Sequence, residues 1–536
     1  MKRVMPIDQS HHEPTHRALG TRLPGPFDDE MPPQDPGTPN SRLFALLLAV
    51  VLATTVMIWQ HLPQDTQFKA LGLTPPPVQE SPLVVAPLEP TSMYGRLIVK
   101  LKDTLVSDPS AMAEMRTELD KNASTIEDRV AIAIILGELE GPDAAIEQLQ
   151  GLKVEVQLGI AFLPEPPADE PTDETVDETN DATANETGDQ PGLSDNAELL
   201  RDIDDLNTVY LNGSETLDEP AATRLRERYG YIGRVALTHD LTDADPEFAK
   251  LRGGGLAVLL GLIAFGALLV FGFLAGSVLL ILGLIRYLPH WHRARFEPPA
   301  PGGSVMLETY ALFVGSFFAV AITGTVVTAL KPELAIWTLP LQFSIMALVL
   351  WPLLRGMPVK AWREAVGLVA PRGLLREIGF GFLAYLAAVP LFIAGTIITL
   401  ILVLLQQLLS SGGDPEPPAN DIIDLIGGAD WVTIALFALL ATVWAPITEE
   451  LIFRGALYRH LRAHLHWVLA ALFSSMLFAG MHNYPVVMLT PLIVLGFMFA
   501  MMREIRGSII ASITAHFIHN ATLVLVMVFV LRPLIA

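Results

Sequence analysis

The stretch APITEELIFRG, residues 445–455, sets two adjacent carboxylates and a guanidinium directly after an apolar run of membrane-helix composition. Glu450 and Arg454 stand at i and i+4, so on a helix they share a face and can pair, which relieves the cost of burying both charges. Glu449 then points about 100° away, free for other work. Further along, FAGMH places Phe478 and His482 at the same spacing, and HFIHN places His516 beside Asn520, so that an imidazole and an amide project together. Ionisable groups inside a membrane are rare and face a bundle interior or a water-filled cavity, so three helices carrying them argue for one polar centre.

The chemistry suited to this set is hydrolysis by activated water. Glu449, held by His482, would take a proton from water, the hydroxide would attack a peptide carbonyl, and His516 with Asn520 would donate hydrogen bonds to the oxyanion. Other roles use the same residue types. One Glu and two His are suitable zinc ligands. Glu450 with Arg454 alone could be an interhelical brace, Phe478 simple packing, and a lone His482 or His516 a helix-to-helix hydrogen bond. His519, three residues from His516, falls towards the flank of that face and is set aside. HEPTH, His12 to His16, fits the HExxH pattern, but Pro14 breaks the helix that pattern needs. No cofactor and no metal are assigned.

The elements that must carry these residues follow from composition. The chain has 536 residues, 51% of them hydrophobic, yet a formal net charge of -22, so apolar and acidic material must be segregated along it. Apolar runs of about 17 to 30 residues recur, long enough to cross a hydrocarbon core about 30 Å thick. The fold class expected is an all-α polytopic membrane bundle of about nine spans, with a partly disordered insert outside the cytosol. The absence of cysteine excludes disulfides, thiolate metal sites and a Cys nucleophile. The acidic balance argues against a nucleic-acid partner.

Along the chain, residues 1–42 read as a disordered tail and Leu43 to Trp59 as an uncleaved anchor helix. Residues 60–255 are mostly polar, with helix-period patches between Tyr94 and Leu163 and an acidic linker that should stay solvated. Eight further spans are expected: Leu256 to Ile285, Val305 to Leu330, Leu334 to Leu354, Ile378 to Leu409, Trp431 to Tyr458, Trp467 to His482, Val486 to Met502 and Ser508 to Leu531. Pro390 lies inside the fourth of these, where a kink or strong tilt is expected. Arginines and lysines concentrate in alternate short loops, at Arg286, Arg355, Arg459 and Arg503 among others. The positive-inside rule then puts those loops and the N-terminus in the cytosol and residues 60–255 outside it. By helical rise from Arg459, Glu449 lies about 15 Å inward, near the midplane.

In order and spacing, EELIFRG, FAGMH and HFIHN resemble the motifs of the CPBP intramembrane endopeptidases. That family includes the type II CAAX prenyl endopeptidases and the bacterial abortive-infection or bacteriocin-immunity proteins. The likeness covers roughly residues 365–531, with VGLVAPRGLLREIGFGF as a lead-in, and leaves residues 256–364 as accessory membrane helices. It implies a helical membrane bundle with a chamber open to cytosol and membrane, and a glutamate-dependent, metal-independent peptidase. It carries Glu449 over as base, Glu450 and Arg454 as its supporting pair, His482 as water-positioning residue, and His516 with Asn520 as the oxyanion site. The partners expected are the lipid bilayer and a membrane-associated peptide or protein substrate, in a bacterial plasma membrane. A non-catalytic immunity factor or scaffold, and a transporter relaying protons through the midplane Glu and His, are the competing functions.

Overall fold

The computed structural model describes residues 33–74, 90–105, 125–158, 191–242, 244–287, 296–331, 337–409 and 429–535, with isolated positions between them. The HEPTH stretch and the acidic linker lie outside the described residues. The protein is an all-α, multi-pass membrane protein. Among the described residues six helices are long and apolar enough to cross a bilayer: α1 (Pro39–Gln60), the segment Pro246–Tyr287, α10 (Val305–Leu330), α13 (Leu374–Leu409), α14 (Trp431–Arg462) and α17 (Ile510–Leu534). A bent pair, α11 (Pro340–Leu354) and α12 (Val359–Val366), meets at 119° and makes a seventh span if counted as one.

Nine spans were expected, and the difference lies in two helices. α15 (Trp467–Gly480) has 14 residues, about 21 Å of helix, less than a hydrocarbon core. α16 (Thr490–Arg506) has 17 and carries Arg503, Glu504 and Arg506 buried in its last turn. α15 packs one face, Ala470, Ala471, Ser474 and Phe478, into the bundle and leaves Leu469, Leu472, Phe473 and Met476 exposed on the other. α13 stays helical through Pro390, and its 36 residues, about 54 Å, exceed the bilayer core. Gly276 explains how a neighbour reaches that proline: a Cβ there would lie 2.2 Å from the Leu386 carbonyl, so only glycine admits the contact.

Local sequence accounts for how α1 enters the bundle. Thr38 caps it in a reciprocal box with Ser41. Ala45, Ala49, Ala53 and Val56, four and three residues apart, form a narrow buried seam, while Leu43, Phe44, Leu47 and Val50 are exposed as a lipid-facing stripe. The seam lies in one apolar cluster with Val305, Tyr310 and Phe313 of α10 and with Phe453 and Phe478 near the polar centre.

At one end of the bundle Asp35 forms a bidentate pair with Arg459, Glu377 with Arg506, and Glu504 with Arg462 and Tyr458. At the other end stands a helical unit: α3 (Pro90–Leu105), α4 (Ile126–Glu140), α5 (Pro142–Leu158), α6 (Pro191–Asn212), α7 (Glu219–Ala236) and α8 (Pro246–Arg252). Its core is apolar and separate, built on Ile98, Ile134, Ile135, Leu149, Ile203 and Leu225. Asp202, fully buried, is held by Arg224 and Arg228. The unit continues through a short turn into α9 (Gly255–Tyr287), and Arg96 donates to the Leu534 carbonyl at the end of α17 at 3.2 Å.

Candidate active site

α14 does not keep one helical pitch. Residues Leu440–Trp444 and Glu450–Leu457 are π-helical, separated by five α-helical residues Ala445–Glu449. Such widened turns are uncommon and recur at functional sites, because the missing i→i−4 bonds leave carbonyls for side chains to claim. Side chains claim them here. Ser474 donates to the Phe453 carbonyl at 3.1 Å, and the Asn520 amide donates to the Ala441 carbonyl at 2.8 Å.

The pairing read from the spacing of Glu450 and Arg454 is present, with Nη1 donating to Oε1 at 2.8 Å and both side chains fully buried. Arg454 Nη2 donates to the Gly496 carbonyl at 3.0 Å. Its guanidinium lies over the rings of Phe478, at 4.4 Å, and Phe499, at 5.1 Å, so aromatic faces supply much of what water would otherwise give the charge. Gly496 is required for that approach, since a Cβ would come within 3.1 Å of the guanidinium and 3.0 Å of the Ser475 Cβ.

His516 joins the two glutamates. Its Nδ1 is 3.2 Å from Glu450 Oε1 and its Nε2 is 3.8 Å from Glu449 Oε2. Phe499 stacks on the imidazole at 5.1 Å, and the Phe478 edge meets it at 5.8 Å, which fixes the ring plane. Glu449 is partly open, with 20% of its side chain exposed, whereas Glu450 has none. The two neighbours thus differ as expected: one carboxylate is consumed by structure and the other faces accessible space.

His482 departs from expectation. α15 ends at Gly480, so the histidine sits in the turn after the helix, half-buried, with its ring 5.0 Å from Phe478. Its Nδ1 faces the Phe478 carbonyl at 2.9 Å, and among the described residues it makes no hydrogen bond to Glu449. The histidine beside Glu449 is His516. Asn520 is likewise committed on one N–H to Ala441, leaving its second N–H and its oxygen for other partners. His519 is buried, with Nδ1 3.3 Å from the Tyr385 hydroxyl.

Four contributors were not foreseen. Phe499 and Gly496 shape the site from α16, and sequence alone offers no signal for either. Gln60 and His61, at the end of α1, hold the turn bearing His482: Gln60 Nε2 donates to the Met481 carbonyl at 3.0 Å, and His61 Nε2 lies 3.0 Å from the Tyr484 carbonyl. Met57, one turn earlier, packs on Gly480. The polar pair at the end of an otherwise apolar anchor was a visible but unread clue. No group of three His, Cys, Asp or Glu side chains among the described residues is arranged to hold a metal ion.

An apolar cavity of about 650 Å³ opens between α13, α14 and α17. Thr442, Pro446 and Ile447 line it from α14, and Thr514, Phe517 and Ile518 from α17, so it comes within two residues of Glu449 along α14 and adjoins His516 through Phe517, with no side chain of the polar centre in its lining.

Comparison of the whole chain with curated proteins and with solved structures gives no match. Residues 431–522, which carry all three motifs and every side chain of the polar centre outside α1, match the family model described as type II CAAX prenyl endopeptidase Rce1-like.

Proposed function

We propose that the protein is an intramembrane glutamate-dependent endopeptidase that hydrolyses a peptide bond of a membrane-associated substrate. The observation that carries this reading is the His516 ring, one nitrogen against the buried Glu450 and the other towards the partly open Glu449. In this scheme Glu449 accepts a proton from water as its oxygen attacks the scissile carbonyl carbon. His516, oriented by Glu450 and two phenylalanine rings, positions the Glu449 carboxylate and stabilises the negative charge developing on the tetrahedral oxygen. Asn520 contributes its remaining N–H to that oxygen. His482 presents Nε2 to the water, its Nδ1 being held by Phe478. The proton returned by Glu449 to the departing amine completes hydrolysis. Arg454 acts through Glu450 and is a positioning residue.

The apolar cavity beside these groups suits an apolar side chain or lipid-modified segment approaching laterally from the bilayer. The arginine-rich end of the bundle, where the N-terminal segment docks through Asp35 and Arg459, supports a cytosolic N-terminus in a bacterial plasma membrane. A non-catalytic scaffold is the second reading, favoured by the use of Asn520 and His482 in bonds to main-chain carbonyls. Purified protein in lipid, offered lipidated and unlipidated peptides beside Glu449→Gln, separates the two. Cleavage by the parent that is lost in the variant, with expression and insertion unchanged, supports the peptidase. Equal cleavage by both removes Glu449 from the role, and no cleavage by either supports the scaffold.

A further inference from the structure

The helical unit meets the membrane at a basic cluster that none of the residues discussed so far requires. Lys100 of α3 lies against the turn between α8 and α9, its Nζ donating to the Gly253 carbonyl at 3.2 Å and the Lys250 carbonyl at 3.4 Å. Its depth is fixed by backbone: a Cβ on Gly255 would lie 1.7 Å from the Lys100 carbonyl, so the two chains touch directly. The lipid-facing surface begins at the next residue, since Leu256 is 63% exposed, followed by Leu260 and Ile263. The Lys100 amine therefore sits at the level where a bilayer changes from hydrocarbon to headgroup.

Positive charge gathers at that level, with exposed Glu247 three residues before Lys250 on α8. The Lys250 side chain is exposed beside Lys100, and neither amine has a carboxylate partner among the described residues. Nearby acids are committed elsewhere: Glu138 takes Arg252 in a bidentate pair and Lys102 at 3.5 Å. Burial, and to a lesser degree the charges of Arg96 and Lys250, pushes the Lys100 amine down to about 8. The chain as a whole carries -22, and this end of the bundle is opposite the arginine-rich one, so the local excess of cations runs against both trends.

We propose that Lys100 and Lys250 form a binding site for the phosphate of an anionic phospholipid headgroup in the leaflet facing the helical unit. A headgroup phosphate at this depth would place its oxygens between two ammonium groups in a partly dehydrated interface, where each pairing is stronger than in bulk water. The lipid would then mortise the unit onto the start of α9, alongside the Arg96 contact to Leu534. This site is independent of the proposed peptidase activity.

The natural absence of cysteine permits a local test. Leu256→Cys, labelled with a bimane fluorophore and reconstituted in mixed vesicles, reports nearby lipid through quenching by brominated phosphatidylglycerol or brominated phosphatidylcholine. The parent should show preferential quenching by the anionic lipid, an enrichment of about fivefold per lysine. Lys100→Gln with Lys250→Gln should lose that preference, and Lys100→Arg with Lys250→Arg, which keeps the charge and controls for folding, should retain it. Equal quenching by both lipids in the parent, or a preference unchanged in the glutamine variant, overturns the proposal. Abolition of the preference by inorganic phosphate at constant ionic strength would reassign the site to free phosphate.

Discussion

Glu450 Oε1 accepts from Arg454 Nη1 at 2.8 Å with both side chains wholly shut off from solvent. Glu450 Oε2 and Arg454 Nε have no other partner, so the pair's charges depend on one another. Arg454→Met should destabilise the protein by about 3–5 kcal/mol by leaving a buried carboxylate uncompensated. Glu450→Leu with Arg454→Met should recover much of that loss yet remain inactive, because His516 loses its anchor. Thermal unfolding in lipid nanodiscs alongside peptide cleavage separates the two effects.

His516 is expected to be worth more to chemistry than to stability. His516→Gln keeps a side chain that can donate to Glu450 but cannot take up charge. Turnover should fall by about 10²–10⁴ with the melting temperature little changed. A variant that melts normally and turns over normally would take the imidazole out of the mechanism.

Gln60 and His61 should tune turnover from outside the family-matched segment. Gln60→Leu with His61→Phe removes both bonds to the 481–484 turn while keeping α1 apolar. Displacement of His482 by about 1 Å should lower kcat up to about 100-fold, with KM nearly unchanged. Hydrogen exchange across residues 478–490 should rise in the same variant. Unaltered exchange would show that the turn holds itself.

The sequence made one half of this site legible. The i, i+4 spacing of Glu450 and Arg454 fixed a local pairing, and local pairings survive whatever the tertiary arrangement. The FxxxH spacing alone implies one helical face for Phe478 and His482, whereas α15 stops at Gly480 and delivers the His482 ring from a turn. The π-helical stretches of α14 have no compositional signature, so the carbonyls that Ser474 and Asn520 occupy could not be anticipated. The span count differs only at α15 and α16, which are apolar but short, or charged at one end, and so fall outside a count made by length and composition.

Lys100 gives the helical unit a pH signature. Its amine is lowered from 10.5 to about 8 in the fold, so between those values the unfolded chain binds more protons and stability rises with pH. Below about pH 8 the penalty is fully present. The melting temperature in zwitterionic detergent should therefore increase from pH 8 to 10 in the parent by more than in Lys100→Met. Anionic lipid should flatten the difference, because a bound phosphate restores proton affinity to the amine.

The contact between Gln60 and the Met481 carbonyl joins residues 421 positions apart, and it has a consequence for biosynthesis. α1 leaves the ribosome well before the turn that its end contacts, 421 positions later. Until α10 is made the anchor must wait in the bilayer with its alanine seam uncovered, and its polar end at Gln60 must wait longer, for the turn at Met481. Assembly order thus guards function: a truncated or stalled product would carry an inserted anchor and a folded outer unit, but no competent centre.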